Sequence, residues 1–241
     1  MCANKLILNV DKTNFMIFGT RHINDNNLHL YYNNQVINRV SSIKFLGVII
    51  DEKLSWNHHI NQLCNTISRN IGILRKLQYL PRNVLKLLYH SLISSHLSYC
   101  VIIWGFSSKH NLNRILLLQK RALRLITHSH YLQPSAPLFS RMSILPIHSI
   151  VSLQTRVFMH NCYSDKLPSS LNNYFNLNCS VHVYNTRNKN NFHPPLLRTE
   201  LSKSTIFYQG PVLWNDLPVN LKKLKSPKQF NCNYKRQLLQ T

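Results

Sequence analysis

The apolar positions change period once along the chain. Up to residue 50 they form short runs rich in β-branched and aromatic side chains: Lys5–Val10 and Asn14–Gly19 around Asp11-Lys12-Thr13, then Leu28–Tyr32 and Gln35–Val40. Runs of this kind, bounded by polar turn residues, predict strands. Asn33-Asn34 between the last two predicts a two-residue hairpin turn, because Asn tolerates positive φ. Ile43–Ile50 (IKFLGVII) predicts a further, more buried strand. From Ser55 onward the period lengthens. Ile60, Leu63, Cys64, Ile67, Ile71, Leu74 and Leu77 recur at three- and four-residue steps, as one face of a helix requires. Ser55 is the candidate N-cap. Pro81 separates this helix from a second over Val84–Trp104, which Gly105 is expected to stop. A third covers Leu112–Thr127, with Leu112, Ile115, Leu116, Leu123 and Ile126 on one face and His110, Arg114, Arg121, Arg124 and His128 opposite. Leu117, Leu118 and Leu125 blur the boundary between the two. Pro134, Pro137 and Pro146 mark a connection into a fourth helix, Ile147–Tyr163. Beyond Leu167 the chain is rich in Asn and Pro, and basic over residues 185–198 and 222–236. The expected fold class is α+β: a β-rich part over 1–54, a helical part over 55–130, and a mixed, less regular region over 131–241.

Charge narrows the chemistry. Among 241 residues there are 29 Lys and Arg against 7 Asp and Glu, a formal net charge of +22, with 44% apolar residues. The apolar content is enough for a folded core. The scarcity of acids disfavours multi-carboxylate catalysis and calcium sites. The excess of cations favours a polyanionic partner. A G-x-S-x-G elbow, an H-E-x-x-H pair and a glycine-rich phosphate loop are all missing. Asp51-Glu52 reads as a solvated turn. The histidine clusters, His58-His59, His128 to His130 and Cys179-x-x-His182, lack zinc-ligand spacing, so no metal site is expected and His58 and His59 read as exposed. Six widely spaced cysteines without a C-x-x-C pair read as reduced thiols, and residues 1–14 show no signal-peptide pattern, which together suggest an intracellular protein. The most apolar stretch, Val84–Trp104, contains Lys86, His90 and His96 and so reads as a buried helix rather than a membrane span. Arg69, Arg75 and Lys76 on the first helix, Arg82 at the start of the second, and Arg114, Lys120, Arg121 and Arg124 on the third form the candidate phosphate-binding ridge.

Several segments also resemble the reverse transcriptases of non-LTR retrotransposons, in particular the jockey-like LINE group. Asn4-Lys5-Leu6-x-Leu8-Asn9-x-x-Lys12-Thr13-x-x-Met16-x-Phe18 is similar to the late palm, with Lys12-Thr13 at the family's fourth polymerase motif. Ile43-Lys44-Phe45-Leu46-Gly47-Val48-x-Ile50-Asp51-x-x-Leu54-x-Trp56-x-x-His59-Ile60 resembles the primer-grip hairpin leading into the thumb, and is the most specific match. Tyr89-x-x-Leu92-Ile93-x-Ser95-x-Leu97-x-Tyr99-Cys100, then Trp104-Gly105, and Leu118-Gln119-Lys120-x-Ala122-Leu123-Arg124-x-Ile126 resemble the thumb helices. Thr186-Arg187 and Trp214-Asn215-x-Leu217-Pro218 resemble the C-terminal region.

The resemblance implies RNA-templated DNA synthesis, with an RNA template and a DNA primer as partners, in nucleus and cytoplasm. It places Phe45, Leu46 and Gly47 at the primer terminus, the helices after Trp56 as a thumb on the template–primer duplex, and Lys12 on the nucleotide side. Read without it, Lys12 is a turn lysine, Phe45 and Leu46 are strand core, and Tyr99, Trp104 and Trp214 are packing aromatics. Polymerase chemistry uses two magnesium ions held by carboxylates, and this sequence has no Asp-Asp pair. The expectation is a noncatalytic C-terminal portion of such a polymerase: no cofactor of its own, magnesium implied only for the complete enzyme, no small-molecule substrate held alone, and no membrane. The alternatives are a standalone basic RNA- or DNA-binding module, or an inert truncated relic whose exposed strand edge invites aggregation.

Overall fold

The computed structural model describes residues 9–19, 28–181, 184 and 187–240. The expected strand over 5–10 lies largely outside these residues, as do Cys2, the Asn4, Lys5, Leu6 and Leu8 positions of the first motif, His182 and Thr186. Contacts divide the chain into two compact units, residues 1–61 and 62–241.

In the first unit a turn of 3₁₀ helix, Val10–Lys12, leads into β1 (Asn14–Phe15). β2 (Leu30–Tyr32) and β3 (Gln35–Arg39) form an antiparallel hairpin, and β1 runs parallel to β3 through Asn14–Asn38 and Phe15–Arg39. The turn is Asn33-Asn34, both at positive φ (50° and 60°), as its composition requires. The run expected as a strand over 14–19 is cut to two residues, because the backbone beyond Phe15 leaves β3; there Gly19 N–H donates to Glu52 O.

The run expected as one buried strand over 43–50 is instead a second hairpin, β4 (Ser42–Phe45) and β5 (Val48–Asp51), turning at Leu46-Gly47 with φ of 45° and 86°. A continuous apolar run conceals a two-residue turn when its second residue is glycine. Phe45 and Leu46 are therefore exposed, at 59% and 75%, and are not strand core.

α1 (Asn57–Lys76) follows. Asp51-Glu52 is not a solvated turn. Asp51 is buried, and its carboxylate accepts from Ser55 N–H (3.0 Å) and Trp56 N–H (3.1 Å). That grip holds a loop in which Leu54 (φ 51°) and Trp56 (φ 62°) are both left-handed, a conformation that costs bulky residues about 1–2 kcal/mol each. The helix thus begins at Asn57, two residues after the expected cap. Ser55 Oγ contributes one acceptor, to Asn57 N–H at 3.4 Å. His59, read from sequence as exposed, is buried: its Nδ1 accepts from Ile49 N–H (3.5 Å), tying β5 to the first turn of α1, and burial pushes its pKa down. His58 beside it is exposed.

In the second unit the expected helix over 84–104 is interrupted. α2 (Arg82–Tyr89) continues through a π-turn (His90–Ser94) into α3 (Ser95–Ser98), and α4 (Val101–Trp104) begins only after Cys100 at φ 50°. α5 (Lys109–Thr127) is capped by the Ser108 hydroxyl, which accepts from Asn111 N–H, and ends at left-handed His128. α6 (Ala136–Met142) and α7 (Ile147–Tyr163) follow, then the short α8 (Ser169–Asn172), α9 (Asn178–Val181) and α10 (Glu200–Lys203), and finally α11 (Ile206–Asn215), α12 (Val219–Lys222) and α13 (Pro227–Gln240).

α7 is the hub of this unit. It packs against α3, α4, α5, α11 and α13 and is buried on most sides. Glycine permits two of these approaches: a Cβ at Gly105 would meet Val151 at 2.7 Å and one at Gly210 would meet Met159 Sδ at 2.7 Å. Gly105 has φ −69°, so close packing rather than a left-handed stop explains it. The region after residue 131 is not loosely organised. Trp214 and Phe230 are fully buried; Phe230 stacks with His160 and Tyr234, and Trp214 meets His160 and Phe192 edge-on and Tyr163 at a tilt. Among the described residues no helix is long and apolar enough to cross a membrane.

Candidate nucleic-acid interface

Burial on α5 follows the predicted face: Leu112, Ile115, Leu123 and Ile126 are buried with Gln119 and Ala122, while Leu117 is 62% exposed. Gln119 is a fully buried polar knot. Its Nε2 donates to Tyr89 Oη (2.9 Å) and Leu145 O (3.2 Å), and its Oε1 accepts from Ile147 N–H (2.7 Å) at the start of α7. Burial raises the Tyr89 phenol to about 12, with the Gln119 bond opposing. One carboxamide therefore aligns α2, α5 and α7 beneath the cationic ridge.

The ridge residues differ in their commitments. Arg69, Arg75, Lys76, Arg82 and Arg121 are exposed; Arg114, Lys120 and Arg124 are half-buried. Burial pushes the Cys64 thiol of α1 up, and the charge of Arg114 partly offsets that push. Arg124 donates through Nε and Nη2 to Gln133 O (3.3 and 3.0 Å). Arg69 reaches Thr66 Oγ1 at 3.4 Å.

Gln78 Nε2 donates to Leu125 O (3.1 Å), which ties the turn just after α1 to the last turn of α5. Arg75 and Lys76 precede that bond by two to three residues in the chain, and Arg82 follows it by four. Cations in last turns also favour the helix macrodipole, a purely structural role. The stretch of sequence that carries these cations is poor in acids. Between Glu52 and Asp165 the sequence has thirteen Lys and Arg and no acid. Residues 62–241 have 23 Lys and Arg against three acids. A surface of this sign attracts phosphates at long range.

In the first unit Lys12 is exposed at the end of the 3₁₀ turn, where its N–H donates to Asn9 Oδ1 and Thr13 Oγ1 donates to Asn9 O. Phe45, Leu46 and Gly47 form the tip of the β4–β5 hairpin, an apolar point held out to solvent. Of the aromatics read as packing residues, Trp104 and Trp214 are fully buried and Tyr99 is 51% exposed.

Among the described residues no group of three or more carboxylates converges on one place. Asp51 is occupied as a cap. Glu52 faces Arg39 at 4.0 Å, Asp216 faces Arg156 at 3.5 Å, and Glu200 pairs with Lys203 at 2.9 Å. Among the described residues no three His, Cys, Asp or Glu gather as a metal-ligand set. The acids among the described residues thus do not fit the pair of magnesium ions that polymerase chemistry uses.

Sequence reasoning missed the two carboxamides that organise the core. The first is Gln119. The second is Asn215, whose Oδ1 accepts from Phe192 N–H (3.0 Å) and whose Nδ2 donates to Phe192 O (2.8 Å), imitating a strand partner. It also left unjoined the two basic C-terminal segments, which face each other across a cavity. The only signal for either was polarity at otherwise apolar positions and the excess of Lys and Arg.

Three curated proteins share part of this sequence. A probable RNA-directed DNA polymerase from transposon BS of Drosophila melanogaster is 26% identical over 136 residues, 55% of this chain and 14% of that protein. The RNA-directed DNA polymerase from mobile element jockey of Drosophila melanogaster is 30% identical over 100 residues, and that of Drosophila funebris is 29% identical over 102 residues. Each jockey match covers 39% of this chain and 11% of the relative. No family model and no solved structure matches the chain. The chain is thus similar to RNA-directed DNA polymerases of jockey-like non-LTR mobile elements, over 11–14% of their length.

Proposed function

We propose that this relative of mobile-element RNA-directed DNA polymerases grips the template–primer duplex rather than performing the phosphoryl transfer. In this reading α1, α2 and α5 act as a thumb. The exposed Arg75, Lys76, Arg82 and Arg121 hold phosphates, and Arg69, Arg114, Lys120 and Arg124 add field from partly committed positions. The Phe45-Leu46-Gly47 tip meets the primer end, and Lys12 lies on the nucleotide side. The observation that carries the reading is the acid-free stretch between Glu52 and Asp165, with the turn after α1 tied to the last turn of α5 by the Gln78–Leu125 hydrogen bond. A charged patch alone is compatible with many polyanions; the similarity to RNA-directed DNA polymerases supports a nucleic acid.

The mechanism is electrostatic. Guanidinium and ammonium groups displace condensed counterions from the duplex, so affinity falls with salt by roughly 0.7–0.9 log unit per log salt for each phosphate held. Carboxylates able to hold two metal ions are missing from the described residues, so binding and positioning are the contributions expected of this chain.

The test is a salt titration of the 241-residue chain on an RNA–DNA hybrid duplex, read by fluorescence anisotropy. Four phosphate contacts give a log–log slope of about −3. Arg75→Ala, Lys76→Ala and Arg121→Ala together should reduce that slope by about 2 to 3. A slope near zero, or a slope that the triple variant leaves unchanged, would refute the thumb assignment. Incorporation of deoxynucleotides by the chain alone, with magnesium and a primed RNA, would refute the noncatalytic part.

A further inference from the structure

The basic segments near the end of the chain meet around a cavity of about 690 Å³, within the size range of small-ligand sites. Arg187 and Asn190 line one side, Lys222, Lys223 and Lys225 the other, and Tyr163 at the end of α7 joins them; among the described residues none that lines it is acidic.

The walls are built before any ligand arrives. Residues 187–191 are pinned to the first turn of α9: Asn178 N–H donates to Asn191 O, Cys179 N–H to Lys189 O, and Asn178 Nδ2 to Asn188 O, each at 2.9 Å. The opposite wall is held where His160 Nε2 meets Leu224 O at 2.6 Å. Lys222 bridges the two walls, since its Nζ donates to Asn215 O (2.8 Å) and Asn191 Oδ1 (3.2 Å). Asp216, whose charge reaches Lys222, faces Arg156. Lys222 is thus committed to the frame, while Arg187, Lys223 and Lys225 are exposed.

Tyr163 supplies what a simple phosphate trap lacks. Its ring lies against Trp214 (centroids 5.5 Å apart, planes 34° apart) and meets Phe192 edge-on at 6.2 Å, yet it is 41% exposed. Trp214 is fully buried, so the tyrosine is braced from behind. An aromatic platform flanked by cations and a carboxamide is the recipe by which proteins hold unpaired bases: the π-face stacks and the cations take the neighbouring phosphates.

We propose that this cavity binds single-stranded nucleic acid, with one base on Tyr163 and the flanking phosphates on Arg187, Lys223 and Lys225. A paired base cannot reach an aromatic platform inside a cavity, so the site selects unpaired strand over duplex. It uses different residues from the helical ridge and stands or falls separately from it.

The test uses the full chain and two probes, a fluorescein-labelled uridine hexamer and the RNA–DNA hybrid duplex. Arg187→Ala, Lys223→Ala and Lys225→Ala together should weaken the hexamer at least tenfold and the duplex less than threefold. A charge-matched control, Lys53→Ala, Lys109→Ala and Arg141→Ala, should change hexamer binding less than threefold. In the unmodified protein, a hexamer carrying 4-thiouridine should crosslink on irradiation to the peptide containing Tyr163, a readout independent of any variant's folding. Equal losses for both probes, equal losses in the control, or crosslinks confined to α1, α2 and α5 would overturn the proposal. Displacement of the hexamer by uridine monophosphate at an equal molar concentration would also overturn it, reassigning the cavity to a free nucleotide.

Discussion

Replacing Gln119 with Leu tests whether the ridge stands on the packing described. The two side chains are similar in size, so the change removes polarity with little change in volume. Three hydrogen bonds disappear, and the buried Tyr89 hydroxyl and Ile147 N–H lose a partner. Each buried group left unmet costs about 1–3 kcal/mol. A buried leucine returns about 1 kcal/mol of that through its apolar surface. The net expectation is a loss of about 3 kcal/mol. Tyr89→Phe removes one bond and leaves Gln119 still bound to Leu145 O and Ile147 N–H, so about 1 kcal/mol is expected. The double variant should be about 1 kcal/mol more stable than the sum of the single losses implies, because no hydroxyl is then stranded. Urea unfolding followed by tryptophan emission reads this directly, since Trp104 and Trp214 are fully buried in the same unit. At about 2 kcal/mol per molar urea, the Gln119→Leu midpoint should fall by about 1.5 M. A shift under about 0.3 M, or strict additivity of the pair, would show that the carboxamide does not join the three helices.

The remaining predictions concern the same framework. Asp51→Ala should cost about 2–4 kcal/mol, because two backbone N–H groups lose a charged acceptor and two left-handed residues lose their restraint; amide hydrogen exchange at Ser55 and Trp56 should accelerate, and unchanged protection there would count against the cap. Tyr89 ionises near 10 when unfolded and at about 12 in the folded chain, so the unfolded state gives up its proton first. Stability should be intact below pH 10 and fall by roughly 1.4 kcal/mol per pH unit from this group up to pH 12, and Tyr89→Phe should remove that part of the alkaline loss in urea melts at pH 9 and pH 11.5.

The short-range period of apolar positions is a local property, and the sequence by itself determined what depends on it. α1, α5 and α7, the Asn33-Asn34 hairpin, the buried face of α5 and the acid-free stretch from Glu52 to Asp165 all follow from neighbours within a few residues. The resemblance to mobile-element polymerases was legible for the same reason: FLG-x-x-x-D-x-x-L-x-W encodes a two-residue turn, a buried cap and a helix start, all local. What lies between distant residues was decided only by tertiary structure. Asp51 reads as a solvated turn until the loop folds back and gives its carboxylate two amides. Phe45 and Leu46 read as core until Gly47 turns the strand and leaves them in water. Gln119 with Ile147, Asn215 with Phe192, and Lys222 with Asn191 are each separated by more than twenty residues. A single polar side chain carries no mark of which distant backbone it will satisfy, because that is fixed by how the apolar faces pack around α7.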